Sequence, residues 1–137
     1  MAIASIDHVA IPIMKVDEVL SFYESLGFRI DSSFAPRLYS AHLGQQKINF
    51  HDPALWSDSK FTLRGPKARP GCGDFCFVWS GSVSALEQTL RDRSIATIHG
   101  PVDRLGGRSF GSSVGESYYV RDPDKNLVEF IVYPSEN

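Results

Sequence analysis

The chain has 137 residues, 42% apolar and 22% charged, with a net charge of −2. That length suits one domain with a real core, and the charge gives no reason to expect nucleic acid, with no basic stripe of interleaved aromatics. No apolar run is long enough to span a bilayer, and Asp7 interrupts the N-terminus too early for a signal peptide.

In chain order, Ile6 to Ile13 alternates, with Val9, Ile11 and Ile13 on one face and His8, Ala10 and Pro12 on the other. Pro12 lacks a donor and suits a sheet edge or a strand end. From Val16 to Leu26 the period becomes helical: Val16, Val19, Leu20 and Tyr23 form the stripe, and Gly27 closes it. Phe28 to Asp31 reads as a short strand. Leu38 to Leu43 and Lys47 to His51 read as a hairpin turning at Gly44-Gln45.

Residues 52–71 are different, holding Pro53, Gly65, Pro66, Pro70 and Gly71. A connector of about 20 residues is long for a compact domain. Trp56 and Phe61 are too apolar for a free linker, so it is expected to lie packed on the fold.

The pattern then repeats. Asp74 to Trp79 alternates, Ser82 to Arg93 is helical with a Val83, Leu86, Leu90 stripe, and Ser82 or Gly81 is its cap. Ile95 to Ile98 is expected as a short strand and 99–111 as a loop. Ser113 to Val120 and Leu127 to Tyr133 form a closing hairpin around Asp122-Pro123-Asp124, with Asn126 as the expected left-handed residue. Each half is therefore β-α-β-β-β, an internal duplication. Cys72 and Cys76 are too close along one strand to pair readily, which fits a reducing cytoplasm.

Superposing Asp7-His8-Val9-Ala10-Ile11 on Gly73-Asp74-Phe75-Cys76-Phe77 sets His8 on Asp74. Superposing Ile48-Asn49-Phe50 on Val128-Glu129-Phe130 sets Asn49 on Glu129. Four polar residues thus hold equivalent mid-strand places, on the face opposite the helix-packing one. If the sheets curl about a pseudo-twofold axis, all four face one cavity. Glu129 sits among apolar neighbours, where ionisation is expensive unless compensated. It is either a rim or ion-paired carboxylate, or a metal ligand.

The segments Ile6-Asp7-His8-Val9, Phe22-Tyr23-Glu24-Ser25-Leu26-Gly27-Phe28, Gln46-Lys47-Ile48-Asn49-Phe50-His51, Pro70-Gly71-Cys72-Gly73-Asp74 and 119–129 resemble the vicinal oxygen chelate superfamily. That superfamily includes glyoxalase I, bleomycin-resistance proteins and extradiol dioxygenases; the resemblance is greatest to the glyoxalase-domain-containing protein 5 branch. It implies an α+β fold of two βαβββ modules forming a U-shaped open barrel around a divalent metal. Across a single domain, 1–137, the modules fall at about 3–51 and 72–134, joined by the 52–71 loop.

Carried over by position, the resemblance makes His8 the first-strand ligand and Glu129 the final-strand carboxylate and catalytic group. Asp74 stands where glyoxalase I has a second His, and Asn49 where it has a Glu. Methylglyoxal–glutathione isomerisation uses a carboxylate at each of two symmetric positions, and this chain keeps one of them. The two-His, one-carboxylate pattern for Fe²⁺ is broken as well. The set His8, Asp74 and Glu129 is rich in hard oxygen, favours Mn²⁺ or Mg²⁺, and also admits Fe²⁺, Ni²⁺ or Zn²⁺. Asn49, His51, Ser117 and Tyr119 are the candidate substrate-binding residues.

The expectation is a cytoplasmic, homodimeric, metal-dependent lyase or isomerase acting on a small molecule with vicinal oxygens. The competing class is a non-catalytic drug- or metabolite-binding protein of the bleomycin-resistance kind. A structural or regulatory module would bind no metal at all.

Overall fold

The computed structural model describes residues 2–135. The chain divides into two compact units, Met1–Gly73 and Asp74–Asn137. Each holds one four-stranded mixed sheet, and the two sheets are built alike.

In the first unit the elements are β1 (His8–Pro12), α1 (Val16–Ser25), β2 (Arg29–Asp31), β3 (Leu38–Leu43) and β4 (Gln46–His51), with the short helix α2 (Pro53–Trp56) after them. The strand order is β1-β4-β3-β2. Strand β1 runs parallel to β4, while β3 is antiparallel to both β4 and β2. Pro12 lies at the end of an edge strand, where its missing N–H costs no ladder bond.

Helix α1 lacks a side-chain cap at Lys15, but Asp17 and Glu18 in its first turn complement the positive end of the helix dipole. Its stripe buries Val19 and Tyr23 completely. The Tyr23 ring meets Phe28 edge-on at 5.4 Å and Phe50 of β4 at the same centroid distance. Burying a side chain of this size contributes about 1.5–3 kcal/mol, so this aromatic cluster is a main anchor of helix to sheet. Gly27 ends the helix at φ +106°, a conformation that costs other residues strain.

The connector is held to the first unit, as its apolar content suggests. Asp52 caps α2 by accepting from the Ala54 N–H at 2.8 Å, with Pro53 beginning the helix. Trp56 Nε1 donates to the Ile13 carbonyl at 2.9 Å, and Arg37 reaches Asp58 at 3.1 Å.

The second unit contains β5 (Asp74–Val78), α3 (Val83–Asp92), β6 (His99–Leu105), β7 (Val114–Arg121) and β8 (Leu127–Val132), in the order β5-β8-β7-β6. Ser82 caps α3 by accepting from the Ala85 N–H at 3.1 Å. Leu86 and Leu90 of the helix are buried, as are Tyr118, Val120, Val128, Phe130 and Val132 of the sheet.

Two local expectations are corrected. The strand expected at Ile95–Ile98 lies at His99–Leu105 instead, inside the expected loop. Gly100-Pro101 disguises it, but β6 is an edge strand, and the register shifts between His99 and Val102, so the proline blocks no ladder bond. In the β7–β8 turn the left-handed residue is Lys125, at φ +71°, rather than Asn126. Asn126 is fully buried and donates through Nδ2 to Asp122 Oδ2 at 2.8 Å. The other Asp122 oxygen accepts from the Asn126 N–H at 2.9 Å and the Asp124 N–H at 3.0 Å.

Candidate functional site

Every candidate residue lies on a strand face or at its margin, and the registers of the two units coincide. In the first, His8 is opposite Lys47 and Ala10 opposite Asn49. In the second, Asp74 is opposite Leu127 and Cys76 opposite Glu129. The positional equivalence of His8 with Asp74 and of Asn49 with Glu129 is therefore a fact of strand pairing as well as of sequence.

In the second unit, Glu129 is half-buried at mid-strand on the sheet face opposite the Val128–Phe130 side. Ser117 Oγ, fully buried, donates to Glu129 Oε2 at 2.6 Å. A short hydroxyl–carboxylate bond of this kind fixes the orientation of the carboxylate. Tyr119 is the direct cross-strand partner of Glu129 on β7. Asp74 is exposed at the start of β5, two residues along from the Glu129 row.

Cys76 occupies that row beside Glu129. Desolvation, and then the Glu129 charge, push its thiol up to about 12, so it stays protonated at neutral pH. Both cysteines are free and exposed. Beyond Tyr119, β6 adds His99, whose ring centroid is 5.8 Å from that of Tyr119, and Arg104, whose Nε donates to the Tyr119 hydroxyl at 3.0 Å.

In the first unit, His8 is exposed, and its Nδ1 is bonded to Asp7 Oδ1 at 2.6 Å. The His8 hydrogen bond and charge hold the Asp7 carboxyl below its ordinary value. This arrangement fixes the imidazole tautomer and leaves Nε2 as the nitrogen with an open lone pair. Asn49 is half-buried, and its Oδ1 accepts from Ser40 Oγ at 2.7 Å. His51 is 8% exposed, with its ring edge-on to Phe61 at 5.2 Å. Desolvation, and then the Arg64 charge, lower its affinity for a proton. At the far edge of this sheet, Arg29, Ile30, Asp31, His42 and Gly44 line a cleft of about 600 Å³.

The second unit thus brings Glu129, Ser117 and Tyr119 together. Among the described residues no three His, Cys, Asp or Glu side chains gather around one point. The donors themselves suit a divalent cation. They comprise a carboxylate held by Ser117 and bordered by the Cys76 thiol, an exposed carboxylate, and an imidazole oriented by an acid. Sequence reasoning missed Asp7, Arg104 and His99. The Asp7-His8 adjacency was readable as an acid beside an imidazole, whereas Arg104 and His99 were hidden by the misplacement of β6.

Among the described residues no helix is long and apolar enough to cross a membrane. Over 97% of this chain and 70% of the relative, the sequence is 33% identical to "Glyoxalase domain-containing protein RDO1" of Mycosarcoma maydis. It is 32% identical to "Virulence protein STM3117" of Salmonella typhimurium, over 97% of this chain and 87% of that protein. The crystal structure of STM3117 superposes with a TM-score of 0.83, covering 98% of this chain and 100% of that one. An integron cassette protein from V. cholerae, 30% identical, also gives 0.83, covering 98% of both chains. Residues 5–130 match the family as a whole, and the two βαβββ units repeat its fold, so the chain belongs to the Glyoxalase/Bleomycin resistance protein/Dioxygenase superfamily.

Proposed function

We propose that this protein is a divalent-metal-dependent enzyme acting on a small molecule with vicinal oxygens, a glyoxalase-like lyase or isomerase. His8, Asp74 and Glu129 would hold the metal, with Mn²⁺ or Mg²⁺ preferred for this oxygen-rich set. The observation that carries the reading is the matched register. His8 and Asp74 share one position, Asn49 and Glu129 another, and each polar side chain has its own hydrogen-bonded support or open exposure.

The bound cation would supply Lewis-acid polarisation of two neighbouring substrate oxygens. The chain's own residues do the rest. Glu129, anchored by Ser117 and bordered by the protonated Cys76 thiol, is the carboxylate that would accept a substrate proton. Asp7 holds His8 in the tautomer with a free Nε2. Asn49 keeps its amide N–H groups for a substrate oxygen, because its carbonyl is engaged by Ser40. Tyr119 offers a hydroxyl beside Glu129.

Protein purified without added metal, then stripped and reloaded, tests the reading. The Mn²⁺-loaded form should melt higher than the stripped form, and calorimetry should give one ion per chain. Glu129→Gln should weaken binding at least tenfold while the metal-free melting point hardly moves. Coincident melting of stripped and loaded protein, with no stoichiometric heat, would remove the metal-enzyme reading. In the same reading the protein works in the cytoplasm as a homodimer, and a monomer by light scattering at micromolar concentration would count against the second point.

A further inference from the structure

We propose that Arg104 and Tyr119 form an oxyanion-binding subsite on the Glu129 face of the second sheet, taking the carboxylate or phosphate end of a small molecule. The role as a substrate subsite rests on the enzyme reading above. The anion site itself does not.

The first observation is how Arg104 is held. Nε donates to the Tyr119 hydroxyl at 3.0 Å, Nη1 donates to the Asp103 carbonyl at 3.1 Å, and the guanidinium lies 5.7 Å from the Tyr119 ring centroid. All three contacts, two with Tyr119 and one with the Asp103 carbonyl, are with neutral groups. Two arginines meet acids, Arg37 with Asp58 at 3.1 Å and Arg91 with Glu87 at 3.9 Å, whereas Arg64, Arg108 and Arg121 meet a carbonyl or a ring as Arg104 does. Among the described residues no carboxylate pairs with Arg104. Its orientation is therefore fixed while its charge is left uncompensated, and Nη2 with both its protons remains to be used. A planar guanidinium in that state is matched to an oxyanion.

The second observation concerns the phenol. Its oxygen accepts from Arg104, so its own proton must be donated elsewhere, and among the described residues nothing accepts it. One oxyanion in front of the pair would receive both the Tyr119 O–H and the Arg104 N–H groups. His99, against the same ring at 5.8 Å, borders the spot.

The third is position. His99, Val102 and Arg104 share a face with Tyr119 and Ser117, and Tyr119 is the cross-strand partner of Glu129. With strands about 4.8 Å apart, β6 lies roughly 10 Å across the sheet from β8. A small acid could reach Glu129 with one end while its oxyanion rests on Arg104. If Arg104 is merely a rim side chain stacked on a tyrosine, no anion selectivity follows.

The test is a titration of ¹⁵N-labelled, metal-free protein in EDTA with sodium phosphate and, separately, sodium acetate, against sodium chloride at matched ionic strength. The expected result is saturable shifts centred on Arg104 and Tyr119 with at least one of the two oxyanions. Arg104→Gln should weaken the affinity at least tenfold and Tyr119→Phe about threefold. Arg37→Gln, a surface arginine of the first unit, should leave it unchanged. The same spectra report whether each variant is folded. Shifts that never saturate, or that persist equally in folded Arg104→Gln, overturn the proposal. Mn²⁺ calorimetry on the same preparation reads the metal reading separately: oxyanion binding without metal binding keeps the subsite and removes only its catalytic role.

Discussion

Tyr118 donates its phenolic proton to Glu87 Oε1 at 2.9 Å, tying β7 to helix α3 from a position only 3% exposed. Tyr118 and Tyr119 are neighbours in sequence, yet the pleat sends one to the helix and the other to Glu129.

Tyr118→Phe should cost about 0.5–1.5 kcal/mol, the usual net value of such a bond, read as a lower denaturant midpoint at unchanged m. Desolvation, and then the hydrogen bond and charge of Glu87, push the Tyr118 hydroxyl from 10.0 up to about 12. Above pH 10 the unfolded chain ionises at this residue while the folded one does not, so stability falls from pH 10 until the folded group also ionises. The variant should lack that component of the alkaline loss.

His51 gives the opposite limb. Its folded pKa lies below the ordinary 6.5, through desolvation first and the Arg64 charge second. Above pH 6.5 both states are neutral and nothing is lost. As pH falls below 6.5 the unfolded chain takes up a proton that the folded chain refuses, so stability declines until the folded imidazole also protonates. Melting points between pH 8 and 5 should fall more steeply for the wild type than for His51→Gln; parallel slopes would exclude this residue as the cause.

Asp122 accepts three hydrogen bonds within its own turn while 3% exposed. Asp122→Ala leaves the buried Asn126 amide groups without these acceptors, and each such loss costs about 1–3 kcal/mol. A destabilisation of about 3 kcal/mol or more is expected by urea denaturation, whereas Asp122→Asn should recover part of it.

The supports of the proposed ligands can be probed apart from the ligands. Asp7→Ala frees the His8 tautomer, and Ser117→Ala releases one Glu129 oxygen. Each should weaken Mn²⁺ binding about 10- to 100-fold by calorimetry. Asp7 is exposed, so its variant should melt like the wild type without metal; Ser117 is fully buried, and its variant should also lose stability. Unaltered Mn²⁺ affinity in both would mean that neither residue supports a ligand.

Much of this was legible in the sequence because strand alternation and helical periodicity differ so plainly in period. The duplicated βαβββ order, both long helices and the Ser117–Tyr119–Glu129 neighbourhood all follow from those two periods and one turn. What escaped was decided by backbone accommodation rather than pattern. Gly100-Pro101 reads as a break, yet an edge strand with a register shift absorbs it. Asn126 reads as a turn residue by composition, yet Asp122 binds its side chain and hands the left-handed position to Lys125. Arg104 carries no sequence signal at all, since its importance lies in meeting a tyrosine fifteen residues on.

The matched registers also make the protein a comparison of two chemistries on one scaffold. At one copy of the shared last-strand position an amide leans on a hydroxyl, through Asn49 and Ser40; at the other a carboxylate does, through Glu129 and Ser117. The same strand register thus carries an amide in one unit and a carboxylate in the other, each held by a hydroxyl from the neighbouring strand. An Asn49→Glu exchange would find a hydroxyl already in place at Ser40, and the route from one carboxylate to two is a single substitution long.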